Sequence, residues 1–212
     1  MRLTIHQPNY LPWRGFIEKA RAADLLVLLD TVPFTKGGYT NRTRFRSTAD
    51  RGWSWMTVPV KAKLGQPIQE VEIDGNAWRH KHYAWIHQTY KRTPLWERLG
   101  PTLQSHYARE WRNLSALNTS LLFVLLGAYG VRTQVRWASD LAARGTGSEL
   151  LLNICCELGA DVYLSGQSGP KYLDLAAFRA AGVETKAVVY HTESFPPVSA
   201  LCELFEEWED PT

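Results

Sequence analysis

Cysteine is scarce in this chain. It has three in 212 residues, two of them adjacent at Cys155 and Cys156, which is too few and too close for a disulfide framework. Long apolar runs are missing too: no stretch approaches the roughly 18 residues a membrane-spanning helix needs. The amino terminus has an early arginine but no apolar core or cleavage site of a secretory leader. An excess of one charge is also absent, since 24 Lys and Arg against 21 Asp and Glu leave a formal net charge of +3. That is mildly basic and short of a nucleic-acid-binding tail. Without a Cys-x-x-Cys pair, and with histidines scattered, no metal site is evident and the cofactor is undefined. Neither an internal repeat nor a low-complexity linker interrupts the chain. The expectation is a cytoplasmic, reduced protein with no membrane partner, folding as a single domain over 1–212.

What is present is α/β grammar. Residues 3–5 are apolar and run into a rigid polar turn, His6-Gln7-Pro8-Asn9-Tyr10-Leu11-Pro12-Trp13. Phe16, Ile17, Ala20 and Ala23 follow at helical spacing, and an apolar run over 25–29 closes on Asp30. Strand, elbow, helix, strand is the start of a βαβ unit. Such units carry ligand-handling groups at the carboxyl ends of their strands. Adjacent parallel strands are therefore expected to bring His6, Gln7 and Asp30 to one rim.

Further along, Gly37-Gly38 marks a turn, residues 43–46 a weak strand, 53–60 a strand ended by Pro59, and 68–73 a weak strand. Helices are expected over 78–93, 95–107 and 115–129, the last capped by Asn113 or Ser115 and ended by Gly130. Residues 131–137 alternate as a strand. The α/β pattern then returns: a helix over 149–158, a strand over 161–166, a helix over 172–181, and a strand over 185–190 ending on His191. Residues 199–208 read as an amphipathic helix or a partly disordered tail. The fold class is α/β, a Rossmann-like three-layer core with a mostly parallel sheet. That core spans 1–50 and 131–198, and 51–130 form an inserted helical block with a small antiparallel segment.

His6 offers an imidazole for acid/base work beside the Gln7 amide, or it ties the elbow together. Asp30 could orient an imidazole or bind a substrate amine or hydroxyl; its plainer role is a turn carboxylate. His191, at the end of the last strand, would face the same rim. Cys155 lies inside an apolar helix, as a nucleophile or covalent carrier or as packing. Ser165, Gly166 and Gly169 belong to a small-residue loop whose amides could hold phosphate or carboxylate, or only make the turn. Lys36, Asn41 and Arg42 could close over that rim or form a solvated loop. Asn9, Trp13 and Tyr172 stand beside these as substrate contacts, as does His82 if its helix face is not simply packed. Most of the nine tryptophans belong to the core, and one or two could stack on a base or sugar.

Several of these motifs, in this order, resemble the WbqC-like protein family, named for a member encoded in O-antigen gene clusters. The resemblance rests on His6 to Trp13 with Gly15 and Phe16, on Asp30, Phe34, Lys36 and Asn41-Arg42, and on Thr57-Val58-Pro59. It continues through Trp78, His82, Tyr90 and Pro94, then Ser148-Glu149, Ile154-Cys155, Leu158-Gly159-Ala160 and Tyr163 to Gly166, and ends with Gly169, Tyr172, Leu173 and His191. Near the end the chain departs from the family pattern, with Phe195-Pro196-Pro197 for Tyr-Pro-Gln and Cys202 for an aspartate. The resemblance implies a transferase of polysaccharide or natural-product biosynthesis. From the residues, the leading expectation is acyl or aminoacyl transfer between a small-molecule donor and an amine or hydroxyl acceptor. One alternative is a nucleotide-dependent ligase or nucleotidyltransferase, and another a non-catalytic module for a nucleotide, tRNA or pathway intermediate.

Overall fold

A computed structural model describes residues 1–47, 52–190 and 198–207. His191 and the Phe195-Pro196-Pro197 stretch lie outside the described residues. In chain order the elements are β1 (Arg2–His6), α1 (Arg14–Ala22), β2 (Leu25–Leu28), β3 (Arg42–Arg46), β4 (Trp53–Thr57), β5 (Val60–Lys61) and β6 (Glu72–Ile73). There follow α2 (Ala77–Tyr90), α3 (Leu95–Ala108), α4 (Leu114–Ala128), β7 (Gln134–Trp137), α5 (Gly147–Glu157), β8 (Val162–Ser165), α6 (Leu175–Ala180), β9 (Glu184–Ala187) and α7 (Ala200–Glu207). Among the described residues no helix is long and apolar enough to cross a membrane.

The central sheet has five strands in the order β7-β2-β1-β8-β9, all parallel. From β1 the chain steps outward to β2 and later to β7, then returns to the other side of β1 for β8 and β9. The strand order therefore reverses between β1 and β8, the doubly wound Rossmann-like arrangement. Period-2 alternation splits the strands between two cores. Leu26 and Leu28 pack with Phe16, Ile17 and Ala20 of α1 and with the helical block. Leu3, Ile5, Leu25 and Val27 pack with Leu151, Ile154 and Cys155 of α5 and Phe178 of α6. Strands buried on both faces explain the continuous apolar run of β2.

β3 leaves the central sheet and pairs antiparallel with β4, from Arg42↔Thr57 to Arg46↔Trp53. Its alternation of Arg42, Arg44 and Arg46 with buried Thr43 and Phe45 leaves only one face fit for burial, so it cannot enter a sheet covered on both sides. The weak strand over 68–73 divides into a 3₁₀ turn at Ile68–Glu70 and β6, which pairs with β5. Asn113 caps α4, its Oδ1 accepting from Ala116 N–H at 2.9 Å. The helix expected from 172 starts later, at Leu175, because Asp174 Oδ1 accepts from Ala177 N–H at 3.0 Å and acts as its cap.

Candidate functional site

The elbow after β1 is unusual in its backbone and heavily braced. Leu11 has φ +42°, the only positive φ at a non-glycine among the described residues. That conformation costs on the order of 1–2 kcal/mol and persists only where the surroundings hold it. They do so here. Tyr10 N–H donates to the Tyr39 carbonyl at 3.1 Å, and Thr43 Oγ1 donates to the Leu11 carbonyl at 3.0 Å. Asn118 Nδ2, fully buried on α4, donates to the carbonyls of Pro8 and Thr40 at 2.7 Å each. The Tyr10 hydroxyl meets His82 Nδ1 at 2.8 Å and the Tyr107 hydroxyl at 2.6 Å, pinning the elbow into the helical block.

Beside this elbow, at the carboxyl ends of β1 and β8, opens a crevice of about 560 Å³. Its place is the reversal of strand order, where doubly wound sheets hold their ligands. His6, Gln7 and Trp13 line one side, with Gly166, Gly169 and Tyr172 on the other, and Gly147 at the start of α5 reaches it as well. Of these, Gly169 owes its identity to packing: an added Cβ would lie 2.2 Å from Ser165 Oγ. Ser165 itself is buried beneath the loop and does not reach the crevice.

His6 Nδ1 lies 3.1 Å from the Gln7 carbonyl oxygen. A carbonyl oxygen only accepts, so Nδ1 carries the proton and Nε2 keeps its lone pair. The ring packs against Phe16 and Trp13, with centroids 4.6 and 5.5 Å away. Burial in this apolar setting, with the nearby charge of Lys19, lowers the imidazole pKa to about 3. The site therefore holds a neutral imidazole.

Lys19 is the residue that sequence reasoning missed. It projects from α1 into the same crevice, is 6% exposed, and donates from Nζ to the Ile5 carbonyl at 3.1 Å. Burial lowers its pKa to about 8. Among the described residues no aspartate or glutamate lines the crevice. Tyr163, Gln167 and Tyr190 also line it. Helical spacing held the clue to Lys19, which stands three residues after Phe16 and four before Ala23, on the stripe that α1 buries.

Other expected residues lie elsewhere. Asp30 does not meet His6: after β2 it turns toward the end of β7, the neighbour of β2 on the side away from β1 and β8. Its carboxylate, on the rim of a separate cleft, accepts from Ser139 N–H at 3.0 Å and Ser139 Oγ at 2.8 Å. Cys155 sits in the core between α5 and the sheet, fully buried, its thiol pushed up to about 12 by burial. That environment suits packing and opposes a thiolate nucleophile. His82 is buried against Tyr10 and Trp78 in the helical block. Asn9 is buried in the elbow, outside the crevice lining. Asn41 is also buried, and its Nδ2 donates to the Val58 carbonyl at 2.9 Å. The Arg42 guanidinium stacks on Trp55 at 3.9 Å and bonds the Gly37 carbonyl, and Lys36 is solvent-exposed. None of these seven residues lines the crevice. Among the described residues no group of three or more His, Cys, Asp or Glu could hold a metal ion.

Strand order and crevice define a doubly wound α/β protein with its pocket at the reversal of the sheet. Within that class, the chain belongs to the WbqC-like protein family, which matches residues 7–205. It is similar to "Uncharacterized protein Rv1507c" of Mycobacterium tuberculosis (strain ATCC 25618 / H37Rv), 31% identical over 180 residues that cover 84% of this chain and 77% of that protein. No solved structure gives a significant match.

Proposed function

We propose that this protein is a cytoplasmic group-transfer enzyme of polysaccharide or natural-product biosynthesis, moving an acyl or aminoacyl group onto an amine or hydroxyl. Family membership supports the biosynthetic setting. The observation that carries the chemistry is the His6 tautomer, with Nδ1–H committed to the Gln7 carbonyl and Nε2 unprotonated. In such a transfer the acceptor N–H or O–H gives its proton to Nε2 as its heteroatom attacks the donor carbonyl carbon. The bond from that carbon to the thiol or alcohol leaving group then breaks, and the imidazolium returns the proton to that group. A neutral imidazole is the form that can start this cycle. Gln7, Tyr163 and Tyr172 supply hydrogen-bonding groups around the reacting atoms. Positioning alone accounts for much of the rate in such a site.

The test is a transfer assay by mass spectrometry with acyl-CoA and aminoacyl-tRNA donors and an amino-sugar acceptor panel. It compares the wild type with His6→Gln, which keeps a polar side chain but has no basic nitrogen. The expected result is a new acyl product whose rate falls at least about a hundredfold in the variant. Equal rates in the two proteins would remove His6 from the chemistry, and with it this reading.

A further inference from the structure

Among the described residues, nothing lining the crevice compensates the charge of Lys19. Lys19 is more than nine-tenths buried, lines the cavity, and spends one of its three donors on the Ile5 carbonyl. No carboxylate lines the cavity among the described residues, and the other titratable groups facing Lys19 there are neutral. These are His6, whose pKa is lowered by burial, and the phenols of Tyr163, Tyr172 and Tyr190, whose pKa values are raised by burial. A buried ammonium without an anion is costly. The first residue of α5, Gly147, opens onto the same cavity, so positive helix-end potential adds to that of Lys19.

We infer that Lys19 is the anion anchor of the crevice, and that the ligand bound there carries a carboxylate or phosphate group seated against the end of β1. The inference builds on the proposed transfer reaction by assigning its substrate class, a small molecule with one oxyanion held away from the reacting carbonyl. It also ties the two functional groups together. An anion at Lys19 cancels the charge that helps depress His6, so a bound substrate makes the imidazole a stronger base than it is in the free protein.

The experiment measures anion binding by calorimetry and by melting temperature at constant ionic strength. Phosphate and pyrophosphate form one arm, acetate and N-acetylglycine a second, and chloride is the control. Wild type, Lys19→Met and His6→Gln are compared at pH 7 and pH 9.5. One arm is expected to bind saturably and raise the melting temperature of the wild type. The arm that binds names the oxyanion. In Lys19→Met that affinity should fall at least tenfold, while the anion-free protein should be no less stable because a buried charge has been removed. In the wild type it should fall by roughly thirtyfold between the two pH values, as an ammonium with pKa about 8 deprotonates. His6→Gln should keep the binding, which separates this inference from the transfer reading. Absence of saturable binding in both arms would overturn the inference. So would binding that Lys19→Met leaves intact, or a Lys19→Met protein strongly destabilised without anion, since the chain would then be supplying its own counter-charge.

Discussion

Replacing Gly169 by alanine tests what the loop at the crevice rim is built for. The added Cβ would lie 2.2 Å from Ser165 Oγ and 2.4 Å from Ser165 Cβ, well inside van der Waals contact. Ser165 cannot retreat: it is 2% exposed and ends β8, paired with Ala187 of β9. Overpacking of this kind costs about 1–3 kcal/mol. For a chain of this length each kcal/mol lowers the melting temperature by about 2–4 °C, so a drop of roughly 2–12 °C is expected. Ser165→Gly removes both clashing atoms. Alone it should cost about 0.5–1 kcal/mol through added strand flexibility, because the hydroxyl it deletes makes only a 3.5 Å contact with the Lys186 carbonyl. The double variant should then be close to Ser165→Gly alone, giving a coupling of about 1–3 kcal/mol opposite in sign to the sum of the single costs. Urea denaturation of the four proteins measures this. A Gly169→Ala protein as stable as wild type, or additive costs in the double variant, would refute the packing account. If such a protein were stable yet had lost anion binding, the glycine would instead serve the close approach of a ligand.

The pH dependence of stability carries a sign that follows from two buried imidazoles. His6 and His82 have pKa values lowered by burial to about 3 and about 4, from an ordinary 6.5. The unfolded chain takes up protons below pH ~6.5 while both native rings stay neutral, so stability is full above that pH and falls as the pH drops toward 4. Each ring contributes a slope of at most ~1.4 kcal/mol per pH unit, less for His6, which keeps partial solvent contact. His6→Gln and His82→Gln should each flatten the urea-derived slope over that window, and a slope that neither changes would contradict burial of the neutral form. Cys155 gives a third test. With Cys155 and Cys202 buried and Cys156 exposed, iodoacetamide should label Cys156 alone in the native protein, as read by peptide mass spectrometry. Cys155→Ala should cost about 1–2 kcal/mol of stability and leave transfer intact. Loss of transfer in a folded Cys155→Ala protein would restore the covalent-carrier role.

The elbow and its neighbouring elements were legible because each has a local cause. Prolines at 8 and 12, a helical stripe from Phe16 to Ala23 and the apolar run of β2 dictate strand, turn, helix and strand without help from distant residues. Asp30 was not legible, and the reason is topological. Pairing of β1 with β2 puts their ends side by side, but the side on which the chain next returns decides which rim is the site. That choice lies in the crossover from β7 to β8, more than a hundred residues beyond Asp30. A run of four basic residues over positions 36–46 shows the same limit at the level of single side chains. Lys36, Arg42, Arg44 and Arg46 are alike in sequence, yet Lys36 is solvated, Arg42 and Arg44 stack on Trp55 and Trp53, and Arg46 pairs with Glu206 at 2.9 Å. Lys19 stood outside that cluster, among apolar neighbours, where a pattern of hydrophobic positions passes over it. Its burial reverses the ranking. A solvated cation is weakened by the high dielectric constant of water and by salt over about 8–10 Å, whereas an ammonium buried in a cavity that no carboxylate lines among the described residues is screened much less. The charge that selects a ligand for this crevice is therefore the one that looked least like a binding residue in the sequence.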